Sequence, residues 1–238
     1  MHLSQAWSGL PALARQDLAL FQDALRNPGG VPLRSITELA DATVLAVTSD
    51  PERDLRVLAD RIETRAQEYF SACVGEDPQA QRQWMVQGVT FSQSTLTYHL
   101  LNETLVHGYD IAHAAKHRWR IEPAHAALVV GRFIIPVIRA LGSQTMVAGA
   151  EASLCTTTYE LRIRGGDHFY FVFNDGQLSV EDPSPRRVDC RISADPVAFL
   201  MVTWARQSQW SAIAKGKLVA WGRKPWLGPK FRRLMRNP

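Results

Sequence analysis

The stretch between residues 99 and 117 concentrates side chains that can bind a metal ion. Its members are His99, Glu103, His107, Asp110, His113 and His117. On a helix of about 3.6 residues per turn, these six side chains share one broad face. Glu103 and His107 are four residues apart, so they project side by side and can close on one ion. The spacing therefore indicates either half of a metal site or the polar face of a helix.

The residue types on this face and beside it help to distinguish a metal site from a polar helix surface. Imidazole and carboxylate groups are ligands for zinc, iron or nickel, and two ligands from one helix leave positions for another helix, water or substrate. A polar face that contains histidines is also typical of a solvated surface. Leu100, Leu105 and Val106 occupy part of the remaining circumference, which favours a buried helix. A buried Glu103 needs a partner, and a cation is one candidate.

Composition sets limits on the class of protein. The chain has 238 residues with 46% hydrophobic and 21% charged residues, which is typical of globular proteins and long enough for two domains. Cys73, Cys155 and Cys190 stand alone, which fits a reducing compartment and argues against a thiolate zinc knuckle. The N-terminus lacks the pattern of a secretory signal, so we expect a cytoplasmic protein. We expect no membrane span, which needs about 20 apolar residues in succession.

Helix signals dominate the sequence before residue 150. Ser35, with Glu38 three residues later, forms a capping box and predicts the start of one helix. A long helix is predicted over residues 93–117. A further helix should be kinked by Pro136 and should end at Gly142. Residues 1–147 are therefore predicted to form a helical bundle.

After residue 150 the hydrophobic period changes to two. Residues 158–182 alternate apolar and polar side chains around the turn Asn174-Asp175-Gly176, which predicts antiparallel strands. A strand, a helix capped by Asp195, a last strand and a closing helix follow. The fold class is therefore α plus α+β, with a helical bundle at 1–147 and a small domain with an antiparallel sheet at 150–238.

The segment "NETLVHGYDIAHA" resembles the signature helix of the mycothiol-dependent maleylpyruvate isomerase family, which belongs to the DinB-like four-helix bundles. The specific part of the match is Glu103, His107, Gly108 and Asp110, and the resemblance covers roughly residues 1–145. It implies an enzyme of the isomerase or thiol-transferase type.

The second half is similar to the sterol-carrier-protein-like domain that commonly follows this bundle. The segments that match are "DCRISADPVAFLMVTWA" and "GKLVAWG", within residues 150–238. Both resemblances occur in the order that the family shows.

The first resemblance implies a divalent metal, usually zinc, held by Glu103, His107 and a histidine of an earlier helix that begins with a His-Leu step. His2 and Leu3 supply that step. The family has a complete helix before this histidine, whereas here it is the second residue. We therefore expect either a bundle without its first helix, or His99 in place of His2 as the third ligand.

The same resemblance implies a mechanism with mycothiol as the thiol cosubstrate. Coordination to a metal favours thiolate over thiol and makes a nucleophile at neutral pH. Its addition to an activated double bond, followed by rotation and elimination, would isomerise a small electrophilic substrate, and attack alone would give a transferase. Asp110 lies one turn beyond His107 and is predicted to accept its free ring N–H. The alternative for Asp110 is a hydrogen bond in helix packing or capping.

The alternative function is lipid or sterol binding by residues 150–238. The aromatic residues Phe169, Phe171, Phe173, Phe199 and Trp204 either line an apolar cavity or form the core of this domain. Residues 215–238 hold eight Lys or Arg residues and no Asp or Glu, which is typical of a solvated basic surface when no nucleic-acid motif accompanies it. We expect no nucleic-acid partner.

Overall fold

The computed structural model describes residues 35–148, 152 and 155–236, so His2 lies outside the described residues. The chain divides into two compact units, one up to His107 and one from Gly108 onward. The sequence prediction placed the division between residues 147 and 150, where the hydrophobic period changes. The compact units divide earlier because the helical segment after residue 122 packs against elements of the second unit.

Within residues 35–107, the first unit contains two helices, a short hairpin and most of a third helix. These elements are α1 (Ile36–Ser49), α2 (Leu55–Cys73), β1 (Gln81–Gln83), β2 (Thr90–Ser92) and α3 (Gln93–Ala114), which continues into the second unit. The predicted cap of α1 is confirmed, because the backbone N–H of Glu38 donates to Ser35 Oγ at 3.1 Å. The predicted long helix ends at Ala114, before the positive φ of 56° at Lys116.

A buried polar contact positions α3 against α2. Tyr69 is fully buried, and its hydroxyl lies 2.8 Å from Thr97 Oγ1. Gln93 Nε2 donates to the same hydroxyl at 3.0 Å. Because Thr97 and Gln93 both belong to the first turns of α3, these bonds fix the start of that helix and therefore the direction of its polar face.

The described elements of the second unit are the end of α3, a long helical segment, a five-stranded sheet and three short helices. The helical segment is α4 (Pro123–Val129), a π-helical turn (Val130–Ile134) and α5 (Ile135–Met146). The remaining elements are β3 (Thr157–Ile163), β4 (His168–Asn174), β5 (Gln177–Glu181), β6 (Cys190–Ala194), α6 (Pro196–Thr203), α7 (Gln209–Ala214), β7 (Leu218–Trp221), a 3-10 turn (Pro225–Leu227) and α8 (Gly228–Leu234).

The sheet has the strand order β5-β4-β3-β6-β7. The predicted antiparallel meander is confirmed for β3, β4 and β5, with Tyr159 opposite Phe171. The prediction of a wholly antiparallel sheet is wrong, since β6 pairs with β3 in parallel. After the edge strand β5, the chain returns to the other side of β3, and this crossover makes the two strands run in the same direction.

The buried face of the sheet packs against α8. The ring of Phe231 lies 5.0 Å from that of Phe171 and 5.1 Å from that of Tyr159. Alternation along each strand places these sheet residues on one face, as the period of two predicts. The closing helix therefore covers the sheet at its centre.

The helical segment Pro123–Gly142 is long and apolar enough to cross a membrane by length and composition alone, with a mean hydropathy of 1.6. The expectation of no membrane span stays a prediction. Half of the apolar window is buried, and Val130, Phe133 and Ile134 belong to the core of the second unit. Packing within the unit accounts for the apolar composition of the segment.

The predicted break near Pro136 takes the form of the π-helical turn that directly precedes it. Proline has no N–H and its ring clashes with the carbonyl four residues earlier, so the helix widens locally. Gly142 adopts a positive φ of 65° and interrupts the regular helix, as predicted.

Candidate functional site

Helix α3 brings the predicted metal-binding side chains together. His99 Nε2 lies 3.5 Å from Glu103 Oε1, and His107 Nε2 lies 3.3 Å from Glu103 Oε2. Asn102 Nδ2 also donates to Glu103 Oε1 at 3.2 Å. His99 and Glu103 are buried, whereas His107 is half-buried. The spacing of one turn therefore produces the contacts that the sequence predicts.

The metal site itself stays a prediction. His2 lies outside the described residues, so the structure does not test it as a third ligand. Among residues 35–148, 152 and 155–236, no group of three or more His, Cys, Asp or Glu side chains has an arrangement that could hold a metal ion. The donors Glu103 and His107 fit a divalent metal by their chemistry and spacing, and they would supply two of its ligands.

An aromatic side chain covers His99. Trp84, from the turn between β1 and β2, is buried, and its ring centre lies 6.0 Å from that of His99 in an edge-on arrangement. The ring of Phe91 lies 5.3 Å from Trp84 on another side. These contacts shield His99 from water and belong to the core of the first unit.

Asp110 contacts an arginine that the sequence analysis did not identify. Arg206 Nε donates to Asp110 Oδ1 at 3.1 Å, and Arg206 Nη2 donates to Oδ2 at 2.7 Å. The predicted bond from His107 to Asp110 stays a prediction. Nothing in the sequence links two residues that are 96 positions apart, so the partner could not be found from spacing.

The second unit encloses an apolar cavity of about 410 Å³. Its wall comes from the π-helical turn, α5, the sheet, α6, α7 and α8. The wall includes Ile134, Ile138, Phe171, Ile192, Phe199 and Val202. Cavities of about 300–1,000 Å³ with mainly apolar walls are the usual sites of small ligands.

Two of the five aromatic residues singled out in the sequence, Phe171 and Phe199, line this cavity. Phe169 and Phe173 are buried in the core of the sheet, and Trp204 is outside the cavity wall. Alternation along β4 places all three phenylalanines on one face. Only the central one faces the space that the helices leave open.

The polar side chains of the wall are few. They are Thr203, Gln209, Arg232 and Arg236, and no Asp or Glu of the described residues lines the cavity. Trp226 and Val219 border the cavity while their exposed fractions are 63% and 46%. The cavity therefore reaches the surface beside these two residues, where a ligand can enter.

Comparison with known proteins assigns a domain type to residues that supply part of the cavity wall. Residues 140–224 match the SCP-2 sterol transfer family. These residues form an SCP2 sterol transfer domain. A solved structure titled "UbiJ-SCP2 Ubiquinone synthesis protein" is similar at 17% identity over 37% of this chain and 82% of that chain, with a TM-score of 0.31. The comparison with curated proteins found no match.

The SCP2 match confirms one of the two resemblances found in the sequence. The sterol-carrier-like character predicted for residues 150–238 is supported. The resemblance of residues 1–145 to the mycothiol-dependent isomerases and the DinB-like bundles has no support from these comparisons. Those two interpretations stay predictions.

Proposed function

We propose that the SCP2 domain binds a lipid or sterol in the cavity of about 410 Å³. The supporting observation is the coincidence of an apolar cavity with a stretch of chain that matches a sterol transfer family. Transfer of apolar surface from water into such a wall is favourable by about 25 cal/mol per Å². The cavity is therefore suited to hold the hydrocarbon part of a lipid.

Helix α6 contributes Phe199 to the cavity wall in a defined position. Asp195 caps this helix, accepting a hydrogen bond from the backbone N–H of Ala198 at 2.9 Å, and Pro196 occupies its first turn. Ala198 is fully buried against Val202 and Ala212. The cap and this packing fix the face of the helix that Phe199 presents to the cavity.

The test is ligand binding by the purified full chain. Mass spectrometry under native conditions should detect lipid that is extracted with the protein, and a fluorescent fatty acid should bind and be displaced by unlabelled lipid. Absence of both in folded protein would overturn the proposal.

Two variants connect binding to the cavity. Phe199→Ala should weaken binding roughly tenfold, because it removes apolar contact with the ligand. Trp204→Ala is the matched control, since Trp204 is also a half-buried aromatic residue near the end of α6 but does not line the cavity. Equal losses in both variants would place the ligand elsewhere.

The second candidate function is metal-dependent chemistry in the first unit. The contacts of Glu103 with His99 and His107 favour it. We propose that Glu103 and His107 supply two ligands of a divalent metal, with zinc preferred for these ligand types, as part of a mycothiol-dependent isomerase or transferase for a small electrophile. The metal would supply Lewis acidity. The burial of Glu103 would keep the carboxylate oxygens that bind the metal in a fixed position.

A further inference from the structure

Arg232 places a positive charge in the wall of the apolar cavity. It belongs to α8, is half-buried and borders the cavity. Its Nη1 donates to the backbone carbonyl of Met235 at 2.9 Å. A guanidinium has five N–H donors, so this bond uses a small part of its capacity.

Two arginines of the neighbouring sheet, by contrast, contact an acidic partner. Arg162 and Arg191 both contact Glu160, at 2.6 and 2.9 Å. Within the part of the chain that the structure describes, Arg232 forms no ion pair with a carboxylate. A half-buried arginine beside an apolar cavity therefore keeps unused donors for a ligand.

Burial makes this arrangement costly without an anion. Desolvation lowers the pKa of Arg232 below its ordinary value. The group stays protonated at neutral pH, because the ordinary pKa of arginine lies far above neutrality. A bound anion would offset the cost of removing this charge from water.

The other charged side chain of the cavity wall among the described residues is also an arginine. Arg236 also borders the cavity, and no acidic residue of residues 35–148, 152 and 155–236 lines it. Residues 215–238 contain no Asp or Glu at all. The charged side chains that border the cavity, within the described residues, are therefore all positive.

We propose that the ligand is an amphipathic anion, a lipid whose carboxylate or phosphate head group binds Arg232 and whose hydrocarbon chain occupies the cavity. This inference rests on the proposed function, because it specifies the class of lipid. A guanidinium can donate two parallel hydrogen bonds to a carboxylate or phosphate, which gives both affinity and orientation.

The experiment compares lipids that differ in the head group alone. Palmitate, hexadecyl phosphate and hexadecanol compete with a neutral fluorescent probe for the wild-type chain. The two anions should bind about tenfold more tightly than the alcohol, as expected for a charge-assisted hydrogen bond. The comparison of palmitate with hexadecyl phosphate shows which head group the site prefers.

Three variants assign the preference to one residue. Arg232→Gln should remove the preference for the anions and leave the affinity for hexadecanol within about twofold. Arg232→Lys should keep part of it, because the charge remains but the planar fork is lost. Arg233→Gln is the control, since Arg233 is the next residue, is exposed and does not border the cavity. Thermal unfolding of each variant confirms that it is folded.

The outcomes separate this inference from the proposed function. Binding of all three lipids with equal affinity by the wild type would overturn the role of Arg232 and leave lipid binding intact. A preference for anions that persists in Arg232→Gln would also overturn it. Failure of the wild type to bind any of the three would overturn the proposed function and, with it, this inference.

Discussion

Arg206 donates two hydrogen bonds to the carboxylate of Asp110, 96 positions earlier in the chain, at 3.1 and 2.7 Å. Within the second unit this contact joins the later turns of α3 to the segment that follows α6. Asp110 was singled out in the sequence as a partner of His107. The structure adds that its carboxylate forms an ion pair with an arginine far along the chain.

We expect Asp110→Asn to lower the free energy of unfolding by about 0.5–1 kcal/mol. The effect is modest because the side chains of Arg206 and Asp110 are 30% and 36% exposed and are screened by water. Chemical denaturation of Asp110→Asn, Arg206→Gln and the double variant measures the coupling. Strict additivity of the two single effects would show that the pair contributes nothing.

The contacts of buried Glu160 with two arginines predict that the stability of the fold depends on pH. Its side chain is 2% exposed and accepts hydrogen bonds from Arg162 and Arg191. Burial by itself raises the pKa of Glu160, but the hydrogen bonds and charges of the two arginines outweigh it and hold the pKa below its ordinary value. Because the folded pKa is the lower one, the stabilisation is present above the ordinary pKa and is lost as the pH falls through the folded pKa.

The variant Glu160→Gln should therefore lose roughly 1–3 kcal/mol at neutral pH and show a flatter decline of stability in acid. Urea denaturation at several pH values measures both effects. Glu181→Gln is the control on the edge strand β5, where the more exposed carboxylate contacts Arg186 and should contribute less than about 1 kcal/mol. If the stability of Glu160→Gln declines in acid as steeply as that of the wild type, Glu160 is not the cause of the decline.

Gly228 lies where α8 crosses β7 and leaves no room for a side chain. A Cβ atom at this position would lie 2.3 Å from the Cβ of Ala220. We expect Gly228→Ala to destabilise the fold by about 1–3 kcal/mol through this overlap. The double variant Gly228→Ala/Ala220→Gly removes the overlapping atom and should recover part of the loss. Thermal unfolding measures the stability of the wild type and the two variants. If Ala220→Gly recovers none of the stability that Gly228→Ala loses, the overlap of the two Cβ atoms is not the cause of the loss.

The metal proposal predicts bound divalent ion in the wild-type chain. Protein purified without a chelating tag should contain near-stoichiometric metal, and the double variant Glu103→Ala/His107→Ala should lose it because two ligands are gone. His113→Ala is the control, since His113 lies on the same helix, is exposed and stacks on Tyr109. If folded wild-type protein contains no metal even after reconstitution, the metal-dependent enzyme interpretation is excluded. Lipid binding then stays as the proposed function.

The elements with strong local signals were predictable from the sequence. The capping box at Ser35, the period of two in β3 to β5 and the effects of Pro136 and Gly142 depend on contacts within a few residues. The spacing of Glu103 and His107 likewise determines that their side chains meet on one face of α3. These features follow from local backbone geometry, which does not depend on how the rest of the chain packs.

The tertiary structure decided what no local pattern contains. The parallel pairing of β6 with β3, the contact of Arg206 with Asp110 and the position of Arg232 in a cavity wall each join residues far apart in the chain. Phe169, Phe171 and Phe173 are equivalent in the alternating pattern, yet only Phe171 borders the cavity. A period determines which face of a strand is buried, whereas a cavity exists only where packed helices and a sheet leave a space between them.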